Sequence, residues 1–428
     1  MSAPGAPGAP GALRSLLMDD LRAHAFAPPP GTLSGVPRIG AEVEFLPVER
    51  ETRHLAPIFG SSRHSSQALL RAIGAARGWA EHTSEKGVPV FLLPDGGRAT
   101  FEPGGQIEYS SPPDRSASVV LERMRSFAAV LSEAADARDI DVLTVGIDPV
   151  NPADAAPLQL HAPRYARMAA FFATIGPAGA RMMRQTASIQ INLDPPGGDA
   201  TAAWRLLNQM APYLTAMFAN SSRYGGRPTG HCSFRAQCWR SLDPGRTGLV
   251  GLTGDPIEAY LDFALSARAL LVESEPGDFP VFADWAERAG VDESEWQVHL
   301  TTLFPEVRPR GHFEVRSIDA LPPRWYAAPL ALLAGLLYDT DSRHAAVEVT
   351  AGANPDLLWT GGREGLRDPA IGRPATALFE LALGACRRLG PAVVNAADLA
   401  VAAEFFETYT RRGRSPADDV EEPVALGR

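Results

Sequence analysis

Five stretches of the chain alternate apolar and polar residues with a period of two: 38–49, 105–110, 139–147, 186–194 and 311–318. This alternation predicts strands. Six others repeat apolar residues every three to four positions and predict helices: 116–139, 202–220, 255–273, 325–339, 375–389 and 396–412. In the first of these, Val120, Met124, Phe127 and Leu131 share one face, with Asp114 or Ser116 placed to cap its start. Hairpin-compatible strands are mixed with helices, without the regular βαβα alternation of a doubly wound fold. After about residue 325 the chain reads as nearly all helix.

Successive side chains on a strand point to opposite faces, and in four of the strands one face is apolar while the other carries unusual chemistry. Glu42 and Glu44 oppose Ala41, Val43 and Phe45. Gln106, Glu108 and Ser110 oppose Ile107 and Tyr109. Ser188, Gln190, Asn192 and Asp194 oppose Ala187, Ile189, Ile191 and Leu193. His312, Glu314 and Arg316 oppose Phe313 and Val315. A solvated sheet face usually carries lysine and threonine; these faces carry acids, amides and one arginine, and no lysine. If they share a sheet, the carboxylates converge, and converging carboxylates need cations. Hard divalent ions with oxygen ligands meet that need, Mg²⁺ in particular, held by a few carboxylates together with substrate phosphates.

Composition narrows the setting. The 428 residues are 45% apolar, enough for a large core, and carry a net charge of −10. That balance argues against nucleic-acid or anionic-membrane partners. Three cysteines (Cys232, Cys238, Cys386) are too few for a disulfide framework and fit a reducing cytoplasm. No apolar run reaches the roughly 18 residues of a membrane span. The opening MSAPGAPGAPGA lacks a basic segment leading into an apolar one and so does not read as a secretory signal. The expected layout is a disordered tail over 1–13, a single catalytic domain over 14–413 that is mostly helical from 325, and a flexible tail over 414–428.

Between Arg227 and Gly248 stand four arginines, Arg227, Arg235, Arg240 and Arg246, in a segment punctuated by proline and glycine. Beside an acidic metal floor they are natural ligands for phosphate or a substrate carboxylate. His231, Cys232 and Cys238 lack the fourth partner of a zinc site. His299 reads as a packed helix residue, and Trp285, Trp296 and Trp325 as core or pocket wall.

The blocks EPGGQIEYSSPP, MRQTASIQINLD, FANSSRYGGRPTGHCSFRAQCWRSLDPGRTG and HLTTLFPEVRPRGHFEVRS resemble the plant and proteobacterial type of glutamate–cysteine ligase and its actinobacterial relatives of the ergothioneine pathway. The blocks occur in the same order and cover roughly residues 38–340. The resemblance implies an α+β fold of glutamine-synthetase-like type, a curved antiparallel sheet with an acidic concave face backed by helices. It implies activation of the glutamate γ-carboxylate by Mg-ATP, with two or three Mg²⁺ ions, followed by displacement of phosphate by the cysteine amine. By the same resemblance Glu42, Glu44, Glu102, Glu108 and Glu314 are metal ligands. Arg316 faces the transferred phosphoryl group and, with Glu108, carries the catalysis. Arg235, Arg246, Gln190 and Asn192 hold nucleotide or substrate. Pro103-Gly104-Gly105 would let backbone pass close to phosphates or substrate. The direction of Glu102 rests on the resemblance, because the Pro-Gly-Gly break ends strand alternation. Phe45 stands where the plant form has a basic residue, and the plant redox-switch cysteines have no counterparts. The matched motifs identify neither the amine acceptor nor its general base, so a ligase for another amine remains an alternative. A non-catalytic nucleotide- or amino-acid-binding relative is a third reading, against which stands the presence of all five acids.

Overall fold

The alternating segments pair into one antiparallel sheet. The computed structural model describes residues 10–27, 37–84, 87–197, 200–272, 277–419 and 426. Its sheet strands are β1 (Ile39–Glu49), β2 (Ala80–Thr83), β3 (Pro89–Leu92), β4 (Arg98–Phe101), β5 (Ile107–Ser110), β6 (Ile140–Leu143) and β7 (Ser188–Leu193). Two short ribbons, β8/β9 (Arg223–Tyr224, Arg227–Pro228) and β10/β11 (Thr247–Gly248, Phe304–Pro305), stand apart from it. Strands β12 (Val307–Pro309) and β13 (Phe313–Asp319) complete the sheet in the order β12-β13-β7-β1-β5-β4-β3-β2, with β6 on the far part of β1.

Apolar residues of the alternating strands face helices. Phe45 and Tyr109 are fully buried and pack on Phe127 of helix Ala117–Asp136, Tyr109 stacking on it at 4.5 Å. Phe45 therefore lies on the face turned away from the acids, and the departure from the plant pattern does not touch them. The helix starts where expected, at Ser116. Its Ala117 N–H donates to the Val393 carbonyl, and the Ser116 hydroxyl makes no cap bond to the helix. Helix Ala327–Tyr338 is apolar on every side, as a central core helix must be, and runs against helices Pro369–Leu389 and Ala396–Thr408.

Several expectations are corrected. The strand expected over 139–147 stops at Leu143, because the Thr144 carbonyl accepts from Asn220 and Gly146 and Asp148 donate to the Asn220 and Gln185 carbonyls. The helix expected over 255–273 ends at Ser266, after which Ala269 N–H donates to Pro280. The N-terminal tail does not extend to 13: helix Pro10–Asp20 begins earlier and buries Leu17 and Met18, while residues 1–9 lie outside the described residues. The C-terminal tail does not begin at 414. A capping box at Ser415 starts a short 3₁₀ turn, and Ala417 N–H donates to Ala219. His299 is buried on helix Glu293–Leu300, stacked 3.8 Å from Phe282, with Nε2 2.8 Å from the Ala264 carbonyl. Trp285, Trp296 and Trp325 belong to the core.

Candidate active site

Residues directly opposite on antiparallel strands share a face. The registers pair Glu44 with Glu108, Glu42 with both Ser110 and Gln190, and Glu314 with Asn192 and Arg308. The four polar faces are thus one surface. They line a cleft of about 420 Å³ that holds Glu42, Glu44, Glu102, Glu108 and Gln190. Glu102 continues the parity of Arg98 and Thr100 beyond β4, which fixes the direction that the Pro-Gly-Gly break left open. The turn is closed by bonds from Glu102 N–H to the Gln106 carbonyl and from Gly105 N–H to the Glu102 carbonyl.

The close approach at this turn is to protein. A Cβ on Gly104 would lie 2.1 Å from the Arg184 carbonyl oxygen, and one on Gly105, whose φ is +99°, 2.3 Å from Gln159 Nε2. These glycines seat the turn against helix Ala178–Gln185, while the flanking Pro103 and Gln106 line the cleft.

Glu44 accepts from the Ser188 N–H (2.7 Å) and hydroxyl (3.0 Å) and from the Gln190 amide (3.2 Å). Glu42 accepts from Asn192 Nδ2 (3.2 Å), and Glu108 from the Thr100 hydroxyl (2.9 Å). Burial first, and then repulsion from Glu108 and Glu314, pushes Glu42 up to about 8. Burial and Glu44 push Glu108 up to about 7. Burial also raises Glu44, against the pull of Arg235 and Arg316, and raises Glu102 strongly, with Glu108 adding to it. The floor is therefore a set of carboxylates short of positive charge, the donor set that suits a hard cation. Among the described residues no three His, Cys, Asp or Glu side chains converge as a finished ligand set; the acids stand side by side along the cleft.

Glu314 differs. It is 1% exposed, takes two bonds from Arg308 (2.9 and 2.7 Å), and also pairs with Arg316 and Arg310. Burial alone would raise its pKa, but Arg308 and Arg316 outweigh it and hold the carboxyl far below the ordinary range. As described, Glu314 is the counter-ion of an arginine cluster and does not line the cleft, while its charge acts on Glu42 and Glu108 of the floor.

Arg316 lines the cleft, bonded to Glu314 and Gln190 and lying over the Trp239 ring at 5.5 Å. Arg235 lines it too, from helix Phe234–Arg240, whose start is capped by Ser233; its Nη2 donates to the Arg316 carbonyl at 2.8 Å. Buried Asp319 anchors this segment, accepting from the Asn220 N–H and the Ser221 and Ser233 hydroxyls. Gln190 and Asn192 act as props for Glu44 and Glu42, and Asn192 does not line the cleft, so its expected ligand contact is corrected. Arg246 is fully buried elsewhere, donating to the Thr302 and Arg268 carbonyls and pairing with Asp243. Its expected phosphate or carboxylate role is likewise corrected. Arg227 and Arg240 are exposed outside the cleft.

Residues without an expected role complete the site. Arg98, Arg164, Arg308 and Arg310 line the cleft, and the last three also line an adjoining pocket of about 560 Å³. Met168, Met182, Met183, Trp239 and Phe304 form an apolar wall. One cavity thus presents acids, several guanidinium groups and a thioether-rich surface.

The chain matches the profile of glutamate–cysteine ligase family 2 (GCS2) over residues 38–422. It belongs to this family. Over 349 residues it is 35% identical to glutamate–cysteine ligase EgtA of Mycolicibacterium smegmatis, a match covering 78% of this chain and 79% of that one. The chloroplastic glutamate–cysteine ligase of Arabidopsis thaliana is 29% identical over 368 residues, covering 76% and 68%. Among solved structures, the glutamate–cysteine ligase of Francisella tularensis in complex with AMP superposes with a TM-score of 0.54 at 12% identity, over 90% of this chain and 84% of that one. The family's expected architecture, an antiparallel sheet of glutamine-synthetase-like type backed by helices, is the one observed. No helix among the described residues is long and apolar enough to cross a membrane.

Proposed function

We propose that this family member is the ATP-dependent ligase that joins glutamate to cysteine as γ-glutamylcysteine through a γ-glutamyl phosphate, the first step of low-molecular-weight thiol synthesis. The supporting observation is the facing of Glu42, Glu44, Glu102 and Glu108 by guanidinium groups across one cleft. These four carboxylates would hold two or three Mg²⁺ ions, whose chemistry is charge neutralisation around the transferred phosphoryl group. Phosphoryl transfer asks a protein for positioning and charge more than for covalent chemistry. Arg164, Arg308 and Arg310, running from the cleft into the neighbouring pocket, suit the polyphosphate of ATP. Arg316 is set to stabilise charge on the transferred group. Arg235, tied to the Arg316 backbone, suits the α-carboxylate of glutamate.

Among the described residues no histidine lines the cleft, so the proton of the incoming amine falls to a floor carboxylate or to the departing phosphate. The Met168, Met182 and Met183 wall suits an acceptor with a small, soft side chain such as a thiol, since thioethers are polarisable and adapt to the shape they meet. Three free, buried cysteines suit a reducing cytoplasm. The purified chain with Mg-ATP, glutamate and cysteine should release ADP and yield γ-glutamylcysteine by mass detection. No cysteine-dependent ADP release at any Mg²⁺ concentration would reject the reading, and a far better acceptor in an amine panel would reassign the second substrate.

A further inference from the structure

Helix Pro10–Asp20 and the π turn Leu21–Ala25 precede the residues matched to the family. They are built into the domain all the same. Leu17, Met18, Leu21, Ala25 and Phe26 are buried, and Phe26 meets Trp204 edge-on at 5.2 Å. The Ala25 carbonyl accepts from the N–H of Gly311, the residue after Arg310, at 2.8 Å. Asp20 and His24 stand four residues apart, the spacing of neighbours on a helical turn. Both line the pocket of about 560 Å³ into which Arg164, Arg308 and Arg310 run from the cleft.

The pair is ordered. Asp20 accepts from the Trp296 indole N–H at 2.8 Å and from the Gln297 amide at 3.0 Å. Its Oδ1 lies 2.8 Å from His24 Nδ1. An ionised carboxylate only accepts, so Nδ1 carries the proton and the neutral ring presents Nε2 as an acceptor. The His24 side chain is 58% exposed, and among the described residues its Nε2 has no hydrogen-bond partner.

The order of groups along the pocket matches the order of groups along a nucleotide. The three arginines are common to cleft and pocket, whereas Asp20 and His24 line the pocket alone. A polyphosphate lying on the arginines carries its next group, the ribose, into the pocket. Ribose hydroxyls are donors that an imidazole nitrogen accepts. We propose that Asp20 and His24 form the ribose-facing wall of the ATP pocket. His24 accepts from a ribose hydroxyl, and Asp20 is the positioning residue that fixes its tautomer and direction. The assignment rests on the ligase reading for the presence of ATP and adds to it a nucleoside-sorting wall from outside the family-matched residues.

The test is calorimetric titration of the full chain with Mg-ATP, 2′,3′-dideoxy-ATP and inorganic tripolyphosphate, without glutamate. His24→Ala should bind ATP at least about fivefold more weakly and tripolyphosphate within about twofold of the parent. Dideoxy-ATP should bind at least about fivefold more weakly than ATP in the parent and equally in His24→Ala. Asp20→Asn should lose most of the same difference, and the double variant no more than His24→Ala alone. Arg14→Ala breaks an exposed pair with Asp262 away from the pocket and should bind all three probes as the parent does. KM for ATP in His24→Ala should rise by the factor seen in binding, while kcat and KM for glutamate hold.

ATP affinity unchanged in His24→Ala, or ATP and tripolyphosphate weakened alike, overturns the proposal and leaves the ligase reading intact. An equal loss in Arg14→Ala also overturns it, since the segment would then serve the fold alone. Additive losses from Asp20→Asn and His24→Ala would overturn the positioning role of Asp20. The expected binding pattern in a chain that forms no γ-glutamylcysteine keeps the wall and rejects the ligase reading. A chain that binds no ATP loses both.

Discussion

Glu44 and Glu108 lie directly opposite each other on β1 and β5, so two carboxylates enter the cleft side by side from neighbouring strands. They are unequally supported. Glu44 accepts from Ser188 and Gln190, whereas Glu108 has the Thr100 hydroxyl. Like charges this close need a cation to ionise together. Neutralising Glu108 therefore separates catalysis from stability. Glu108→Gln should lower kcat/KM at least about 10²–10³-fold and weaken the dependence on Mg²⁺. In the absence of divalent ions its melting temperature should not fall, because a repulsion is removed. Steady-state assays and thermal melts check both halves, and near-normal turnover would take Glu108 out of the machinery.

The same acids set a pH dependence. Glu42 and Glu108 rise from an ordinary 4.5 to about 8 and about 7, so between those values the folded chain holds protons that the unfolded chain has lost. Stability then falls as pH rises through the window. Their contribution is complete below about pH 4.5 and is lost as pH passes about 7 and then 8. Ligation requires the deprotonated form, so Mg²⁺ should raise the melting temperature more at about pH 8 than at about pH 5.5. Equal stabilisation at both pH values would contradict cation binding by these carboxylates.

The acidic floor was legible in the sequence because strand alternation is local: Glu42, Glu44, Glu108, Gln190 and Arg316 each announce a face within a few residues. The arginine wall was not. Arg98 and Arg308 lie on strands of four and three residues, too short to show a period. Arg164 sits on a helix whose position over the sheet depends on tertiary packing. Glu314 and Arg316 look equivalent in alternation, yet one is enclosed by guanidinium groups and the other opens to the cleft. Burial of a loop arginine such as Arg246 has no local signature at all.

Arg246 gives a sharp contrast with Arg235. It is fully buried, its guanidinium satisfied by the Thr302 and Arg268 carbonyls and by Asp243, and burial brings its pKa down to about 10. Arg246→Met should destabilise the fold by about 3 kcal/mol, since Asp243 and two carbonyls lose their donor. KM for glutamate should change little in the protein that remains folded. Arg235→Met should do the opposite, raising KM for glutamate or ATP. Denaturant unfolding beside steady-state kinetics distinguishes them, and a normal unfolding midpoint with a raised KM for Arg246→Met would return Arg246 to ligand binding.

The Pro103-Gly104-Gly105 turn links stability to the apolar wall. A Cβ at residue 104 meets the backbone of Arg184, at the end of the helix that also carries Met182 and Met183. Backbone cannot rotate aside as a side chain can, so Gly104→Ala must displace either the turn bearing Glu102 or that helix. The expected cost is about 1–3 kcal/mol, together with a loss in kcat/KM for the amine acceptor of about tenfold or more. Gly352→Ala, where an added Cβ meets nothing within 4 Å, is the control and should match the parent in both. Chemical denaturation and acceptor kinetics on the two variants decide it. A Gly104→Ala protein as stable and active as the control would show that the turn does not depend on contact with Arg184.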